Sequence, residues 1–497
     1  MRSRPLRFSP SPWQVAALDA FAGAASITVA LLLRFLDEGS VPATYAQRLV
    51  PWLLIAAATQ VVAGEVMTRL RRPGSPIATR PVAPFLVGGF VGLVVVLLVN
   101  DVILREPLWH LPHFVACVGP VLASAASAAI RLAAARSIEL EELLERPIVR
   151  LDVEGCAPLL VGKRVLITGA AGSIGAELTR QVLAIGPADI LAVDTNETGL
   201  YELEGIVAGV RTCIADVADA RRMRELFLRE RPSIVFHAAA YKHVPLVEAN
   251  PDQGFATNVL GTLAVCEAAV GAGAERVVVI STDKAVNPTS FMGLTKRVAE
   301  LLTVAVGQTA SSATVLSAVR FGNVLGSRGS VVPTLVRQID SGGPITITHP
   351  DAQRYFMTVE EAASLVLLSA AYGAPGGLFV LDMGHEVRIE RLAERLVRLK
   401  GLRPGRDIAT RYTGLRPGEK LREELHSDDE RLLATERAAV WRVEPAYTVD
   451  GPALLEDVRD LDQRRQSGRV EPMEYPALVR ALIARAIGVE EAVAAAG

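Results

Sequence analysis

Asp283 and Lys284 stand side by side in the run Ser281-Thr282-Asp283-Lys284. A carboxyl group and an amine on adjacent residues can handle protons on neighbouring atoms of one substrate. On an isolated loop such a pair is a solvated salt bridge, so its chemistry depends on the elements that place it. Downstream, Met292 and Lys296 lie four residues apart, which puts both on one face of a helix. A thioether neither takes nor gives a proton at ordinary pH, so Met292 can line a site but not do its acid–base work.

The elements that position these residues read as alternating strands and helices. Lys163–Thr168 is a short β-rich run that ends in Gly169-Ala-Ala-Gly172-Ser173-Ile174-Gly175, and an amphipathic helix follows over Ala176–Ile185. Strand, glycine turn and helix in that order form a dinucleotide fingerprint: Gly169 for the tight turn, Gly172 for close approach of amides to a pyrophosphate, Gly175 for helix–strand packing. The helix N-terminus offers free N–H groups to the phosphates. A second strand, Asp189–Val193, ends in Asp194, whose carboxylate can bind both ribose hydroxyls and repels a 2′-phosphate, so NAD is expected over NADP. Further strands are expected at Arg211–Ile214, Ser233–His237, Arg276–Ser281 and Thr314–Arg320, with helices at Ala220–Arg229 and Asn258–Ala272. Repeated βα units predict a parallel sheet covered on both faces, with ligands at the carboxyl ends of its strands. Those ends carry Gly169–Gly175, Asp194, Asp216, His237 to Tyr241 (including Ala238, Ala239 and Ala240) and Ser281–Lys284; the last is expected to face the nicotinamide.

The first third of the chain is different. A mean hydropathy of +0.32 is high for a chain with 21% charged residues, because apolar residues gather near the start. Four stretches, Trp13–Phe35, Leu49–Met67, Val82–Val99 and Leu111–Ala133, each approach the ~20 residues that span a bilayer. Arg2, Arg4 and Arg7, then Arg69, Arg71, Arg72 and Arg80, then Arg131 and Arg136 flank them on one side, so the positive-inside rule puts both termini in the cytoplasm. No convincing cleavage site follows the first stretch, so it is read as a span and not as a signal peptide. The expected organisation is a four-helix transmembrane region (1–136), a juxtamembrane helix and linker (137–163), a Rossmann-type catalytic domain with a smaller substrate lobe (164–427), and a helical C-terminal extension (428–497). A net charge of -2 gives no reason to expect nucleic acid. Cys117, Cys156, Cys213 and Cys266 are scattered, which argues against a zinc site or disulfide framework; no metal is expected.

The motifs Leu166-Ile-Thr-Gly-Ala-Ala-Gly-Ser-Ile-Gly175, His237-Ala-Ala-Ala-Tyr-Lys-His-Val-Pro245, Ser281-Thr-Asp-Lys-Ala-Val-Asn-Pro288, Arg320-Phe-Gly-Asn-Val-Leu-Gly-Ser327, Arg354-Tyr-Phe-Met357 and Leu415-Arg-Pro-Gly-Glu-Lys420 occur in that order. Together they resemble the extended short-chain dehydrogenase/reductase superfamily, and within it the membrane-bound nucleotide-sugar 4,6-dehydratases of the CapD-type polysaccharide-biosynthesis family. Most of the superfamily places a tyrosine, as general base, four residues before the lysine. Met292 departs from that pattern, as do the family's long members.

The resemblance implies NAD-dependent dehydration of a UDP-N-acetylhexosamine, most specifically UDP-N-acetylglucosamine, for surface glycan synthesis. It implies hydride exchange with NAD at carbons 4 and 6, with Lys284 taking the carbon-5 proton and Asp283 protonating the departing carbon-6 hydroxyl. A lysine base must be largely neutral, which burial beside Lys296 and the cofactor's positive ring would promote. Thr282 would hydrogen-bond the carbon-4 hydroxyl and Lys296 the nicotinamide ribose. By the same resemblance Lys242, Asn323, Ser327, Arg416 and Glu419 go to the substrate; an arginine fork matches a diphosphate and a carboxylate suits ribose hydroxyls. A homodimer or larger homo-oligomer at the inner membrane, with the catalytic domain in the cytoplasm, completes the expectation. A nucleotide-sugar 4-epimerase and a non-catalytic membrane sensor of NAD or sugar nucleotide remain alternatives.

Overall fold

The structure, a computed structural model, describes residues 6–7, 137–138, 141–144, 146–149, 152–309, 313–371, 377–437 and 439–488. The chain divides into two compact units, one of residues 1–3, 139–396 and 404–497, the other of residues 4–138 and 397–403. The four expected membrane spans lie outside the described residues. The first unit is described below.

Its centre is a nine-stranded sheet. In chain order the strands are β1 (Arg164–Thr168), β2 (Asp189–Asp194), β3 (Arg211–Ile214), β4 (Ile234–His237), β5 (Arg276–Ile280) and β6 (Val315–Arg320). Two short strands, β7 (Asn323–Leu325) and β8 (Ile345–Ile347), lie off this sheet, as does β9 (Phe356–Thr358). β10 (Gly377–Leu381) returns to it, β11 (Thr410–Tyr412) does not, and β12 (Glu430–Ala434) and β13 (Val440–Pro445) close one edge. The sheet order is β12-β13-β10-β6-β5-β4-β1-β2-β3, parallel from β10 to β3, with β13 antiparallel to both β10 and β12. Order 3-2-1-4-5-6 is that of the doubly wound nucleotide-binding fold. Its central strands are β-branched runs such as Arg276-Val-Val-Val-Ile280, as burial on both faces requires.

Helices cover both faces. On one lie α2 (Ser173–Ile185), α3 (Glu197–Ile206) and α7 (Val359–Ala371), whose Leu178, Val182, Leu200 and Leu365 join the core. On the other lie α4 (Ala220–Glu230), α5 (Pro251–Gly271) and α6 (Phe291–Thr309), with Phe227, Val265, Val298 and Leu302 in the core. Among the described helices α5 alone is long and apolar enough to cross a membrane, but it is the buried core helix of this unit.

Two expected boundaries shift. The linker 137–163 contains α1 (Val153–Leu160), which Asp152 caps through the Gly155 amide at 2.9 Å and which buries Cys156 and Leu160 completely in the core. It is therefore part of the domain. The C-terminal extension is also not purely helical: β12 and β13 are integral to the main sheet, Val440 pairing with Leu381. Only after them come α8 (Gly451–Gln466) and α9 (Tyr475–Ala486), which pack on α6 through Leu454, Val458, Tyr475 and Val479.

Candidate active site

The carboxyl ends of β1, β4 and β5 open into a cleft of about 470 Å³. Gly172, Ser173, Ile174 and Gly175 form one wall and Ser281, Thr282, Lys284, Met292 and Lys296 the other. Gly169 has φ +68, a left-handed conformation that favours glycine, and a Cβ there would lie 2.5 Å from the Ala239 nitrogen. The N-terminus of α2 opens onto this cleft. At the end of β2, Asp194 accepts hydrogen bonds from the Ala171 and Asn196 amides, both at 2.9 Å, so one carboxylate braces the glycine turn. These residues fit a dinucleotide with two free ribose hydroxyls, NAD.

Below the cleft, His237 is buried between the Thr168 and Thr262 hydroxyls, at 2.7 and 3.0 Å. Thr262 Oγ1 donates to the Asn258 carbonyl at 2.7 Å, so it accepts from His237 Nε2, and His237 Nδ1 accepts from Thr168. Burial, reinforced by the Lys296 charge, pushes this imidazole down to about 3, so it stays neutral. Asn258 bonds both backbone groups of Tyr241 and the Thr295 hydroxyl, tying the 238–241 loop to α6 beside Lys296.

Asp283 is fully buried, and its Oδ1 accepts from Lys284 Nζ at 2.9 Å and from Thr282 Oγ1 at 2.8 Å. Lys284 also reaches Asn323 Oδ1 and Glu423 Oε1, both at 3.3 Å. The expectation of a depressed Lys284 is corrected here. Burial pulls its ammonium down, but the Asp283 and Glu423 carboxylates outweigh that and hold it above the ordinary lysine range. Lys296 is the depressed lysine, lowered by burial to about 8 against the opposing charge of Glu300. Met292, 3% exposed, lines the cleft on the same face as Lys296.

Lys284 and Asn323 also border a second cleft of about 360 Å³, walled by Lys242, Thr346, Arg354, Arg416, Glu419 and Glu423. β7 carries Asn323 there because it pairs in parallel with β9, Asn323 opposite Phe356. Arg416 is exposed on the rim. Glu419 is already engaged inside the protein: Oε1 accepts from Thr348 and Arg354, at 2.9 and 3.1 Å, and Oε2 from the Arg416 amide at 3.2 Å. It therefore braces the Arg416 turn instead of presenting a free carboxylate.

The remaining expected site residues scatter more. Ser327 lines the first cleft and not the second, and its hydroxyl donates to the Val324 carbonyl at 2.9 Å. Asp216 is exposed outside both clefts, where it accepts from the Ala218 amide in its own turn. Ala238 and Ala240 line the dinucleotide cleft, and Ala239 sits behind them against Gly169. Sequence pattern alone marks neither Glu423 nor Arg354 as a site residue; Arg354 opens the motif Arg354–Met357, and Glu423 follows the Leu415–Lys420 motif by three residues.

The chain matches the polysaccharide biosynthesis protein family over residues 165–445. It is 42% identical over 335 residues to the probable polysaccharide biosynthesis protein EpsC of Bacillus subtilis, covering 66% of this chain and 55% of EpsC. It is 46% identical over 302 residues to the capsular polysaccharide biosynthesis protein CapD of Staphylococcus aureus, covering 59% of this chain and 50% of CapD. The chain thus spans about half the length of these two curated relatives. Other relatives are named as UDP-glucose 4-epimerases or as an uncharacterized membrane protein. Among solved structures, Pen from Bacillus thuringiensis superposes with a TM-score of 0.53 at 32% identity, over 57% of this chain and 89% of Pen. The match over 165–445 takes in the main sheet from Val165 onward and both clefts, and the chain belongs to the polysaccharide biosynthesis protein family.

Proposed function

We propose that this chain is an NAD-dependent 4,6-dehydratase of a UDP-N-acetylhexosamine, with UDP-N-acetylglucosamine the first substrate to test. The observation that carries the reading is that two clefts, one fitting a dinucleotide and one edged by Arg416 and Lys242, meet at Lys284 and Asn323 beside Asp283. NAD, when bound, supplies a hydride acceptor for carbon 4 and a donor for carbon 6. Thr282 takes the carbon-4 hydroxyl proton and relays it to Asp283, which protonates the departing carbon-6 hydroxyl. Lys284 removes the proton on carbon 5, acidified by the carbon-4 ketone. Lys296 holds the nicotinamide ribose, and Met292 fills the tyrosine position without competing for protons. Asn323 and Arg416 hold the uridine diphosphate.

Elimination is favoured over epimerisation because Asp283 and Lys284 provide an acid and a base next to one another, whereas Met292 provides neither. The first-third apolar stretches anchor the enzyme in the inner membrane with this unit in the cytoplasm. Mass spectrometry of the product from UDP-N-acetylglucosamine tests the proposal. Loss of one water supports it; a product of unchanged mass makes the enzyme an epimerase, and no product at all supports the sensor.

A further inference from the structure

Lys284 lies between two carboxylates, and the motif around it contains only one of them. The other, Glu423, is 4% exposed and lies 139 residues beyond Lys284 by way of the Arg416–Lys420 turn, which Lys420 ties to the Val286 carbonyl at 2.9 Å. Glu423 Oε1 is 3.3 Å from Lys284 Nζ, and Oε2 is buried with no hydrogen-bond partner. Asp283 repeats the arrangement: Oδ1 holds the ammonium at 2.9 Å while Oδ2 is buried and unpartnered. An unpaired buried oxygen is most costly on a charged carboxylate, and the cost falls when the carboxyl group is neutral. Arg354 Nε, at 3.7 Å from Glu423 Oε1, contributes charge but is too distant for a hydrogen bond.

We infer that Glu423 is the proton partner of Lys284: it takes one ammonium proton from Nζ and so creates the free amine that must act on carbon 5. The inference rests on the dehydratase reading above. One N–H bond of Lys284 breaks and one O–H bond forms on Glu423, converting an ion pair into a neutral amine beside a carboxylic acid. The amine takes the carbon-5 proton, and the resulting ammonium later returns a proton to that carbon. Glu423 then gives its proton back to the amine. Asp283 is left to carry the carbon-4 hydroxyl proton, received through Thr282 Oγ1 at 2.8 Å, to the departing hydroxyl, which leaves as water. No proton is gained or lost over the cycle.

Closure of the cleft favours the transfer. Lys284 keeps 23% of its side chain exposed, beside the cleft that the sugar would fill. Excluding water there penalises a pair of charges more than a neutral pair. The charged groups facing the pair are Asp283 and Arg354, with Asn323 the neutral neighbour. Burial first, then the Asp283 charge, pushes the Glu423 carboxyl above its ordinary range against the pull of Lys284 and Arg354.

The test uses the full chain with NAD and UDP-N-acetylglucosamine, comparing wild type, Glu423→Gln and Glu423→Asp. For E423Q the expected result is NAD affinity and KM within about twofold of wild type, with kcat lowered by about a hundredfold, in the range for loss of one proton-transfer partner. Its kcat should rise steadily with pH, since only solvent can then deprotonate Lys284, and E423D should recover part of the rate and the wild-type pH profile. Wild-type kcat in E423Q would overturn the inference. So would a loss that has an unchanged pH profile or that aspartate does not relieve, or loss of NAD binding in both variants, since each makes Glu423 a structural ion partner only. Absence of dehydrated product from the wild type itself removes the dehydratase reading and the inference with it.

Discussion

Replacing Gly175 with alanine should damage the dinucleotide cradle by a predictable amount. A Cβ at this position would lie 2.1 Å from the Gly169 carbonyl oxygen and 2.7 Å from Ala170 Cα, against 3.4 Å at the near edge of ordinary contact. Both neighbours are backbone, so no side chain can rotate away. Relief requires α2 to move from the turn by roughly 1.3 Å, the difference between 3.4 and 2.1 Å. Overpacking of this kind costs about 1–3 kcal/mol. At ~2–4 °C per kcal/mol for a domain approaching this size, Tm should fall by roughly 2–12 °C. The same movement carries the α2 amides away from the pyrophosphate, and loss of only ~1.4 kcal/mol of binding weakens NAD tenfold. Calorimetric titration with NAD beside a thermal melt reads both effects. Gly205→Ala in α3 is the control: its Cβ would meet nothing within 4 Å, so NAD affinity should be unchanged and stability equal or higher by up to ~1 kcal/mol. A Gly175→Ala protein that binds NAD like the wild type would refute the assignment of this turn to the cofactor.

Three further outcomes follow from the same geometry. Lys284→Ala should abolish dehydration while leaving NAD affinity within a few-fold, measured by product mass and by titration; normal turnover would remove Lys284 from the reaction. Asp194→Asn keeps an acceptor for the Ala171 amide but loses the charge, so NAD should bind more weakly and NADP less unfavourably, read as the ratio of their Kd values. Arg320, fully buried, bonds Glu300 at 2.7 and 2.8 Å and Glu430 at 2.6 and 2.9 Å. Arg320→Met should cost about 3–5 kcal/mol by leaving two buried carboxylates to share Arg297, which lies 3.0 Å from Glu300 and 3.3 Å from Glu430. Burial raises Glu300, but Arg320 outweighs it and brings the carboxyl down to about 2. Its stabilisation is therefore present above the ordinary 4.5 and lost as pH falls toward 2. Melts from pH 6 to 2 should show that loss in the wild type and a smaller slope in the variant.

The sequence carried the core of the fold because each βα unit states itself locally. β5 reads Arg276-Val-Val-Val-Ile280, and the glycine turn after β1 has no other economical use. Helix boundaries at α2 and α4 came within a few residues for the same reason. β12 was hidden because Glu430-Arg-Leu-Leu-Ala434 is made of good helix formers; only its place against β13, at the edge of a sheet already built, makes it a strand. The linker looked like a tether because its charges are local, whereas burial of Cys156 and Leu160 is a tertiary fact.

The site divides similarly. Thr282, Lys284, Met292 and Lys296 line one cleft, with Asp283 buried beside Lys284, because one strand end and one helix gather them, and both elements are legible in the sequence. Asp216 accepts from the Ala218 amide in its own turn, and a carboxylate at a strand end can serve such a turn as readily as a ligand, so spacing does not separate the two roles. Ser327 and Glu419 line the clefts while bonding Val324, Thr348 and Arg354, partners that a one-dimensional pattern does not show. The charge state of Lys284 was beyond reach for the deepest reason. It depends on Glu423, and nothing in Glu423-Glu424 tells which carboxylate turns inward.

In the proposed reaction a hexose lies against Lys284 while its carbon 4 faces the nicotinamide. A crystal structure of the full chain with NAD and UDP-N-acetylglucosamine measures this directly. Lys284 Nζ should lie ~3–3.5 Å from carbon 5, a near-attack distance, with the diphosphate toward Arg416. A sugar seated beyond reach of both Asp283 and Lys284, with cofactor in place, would contradict it.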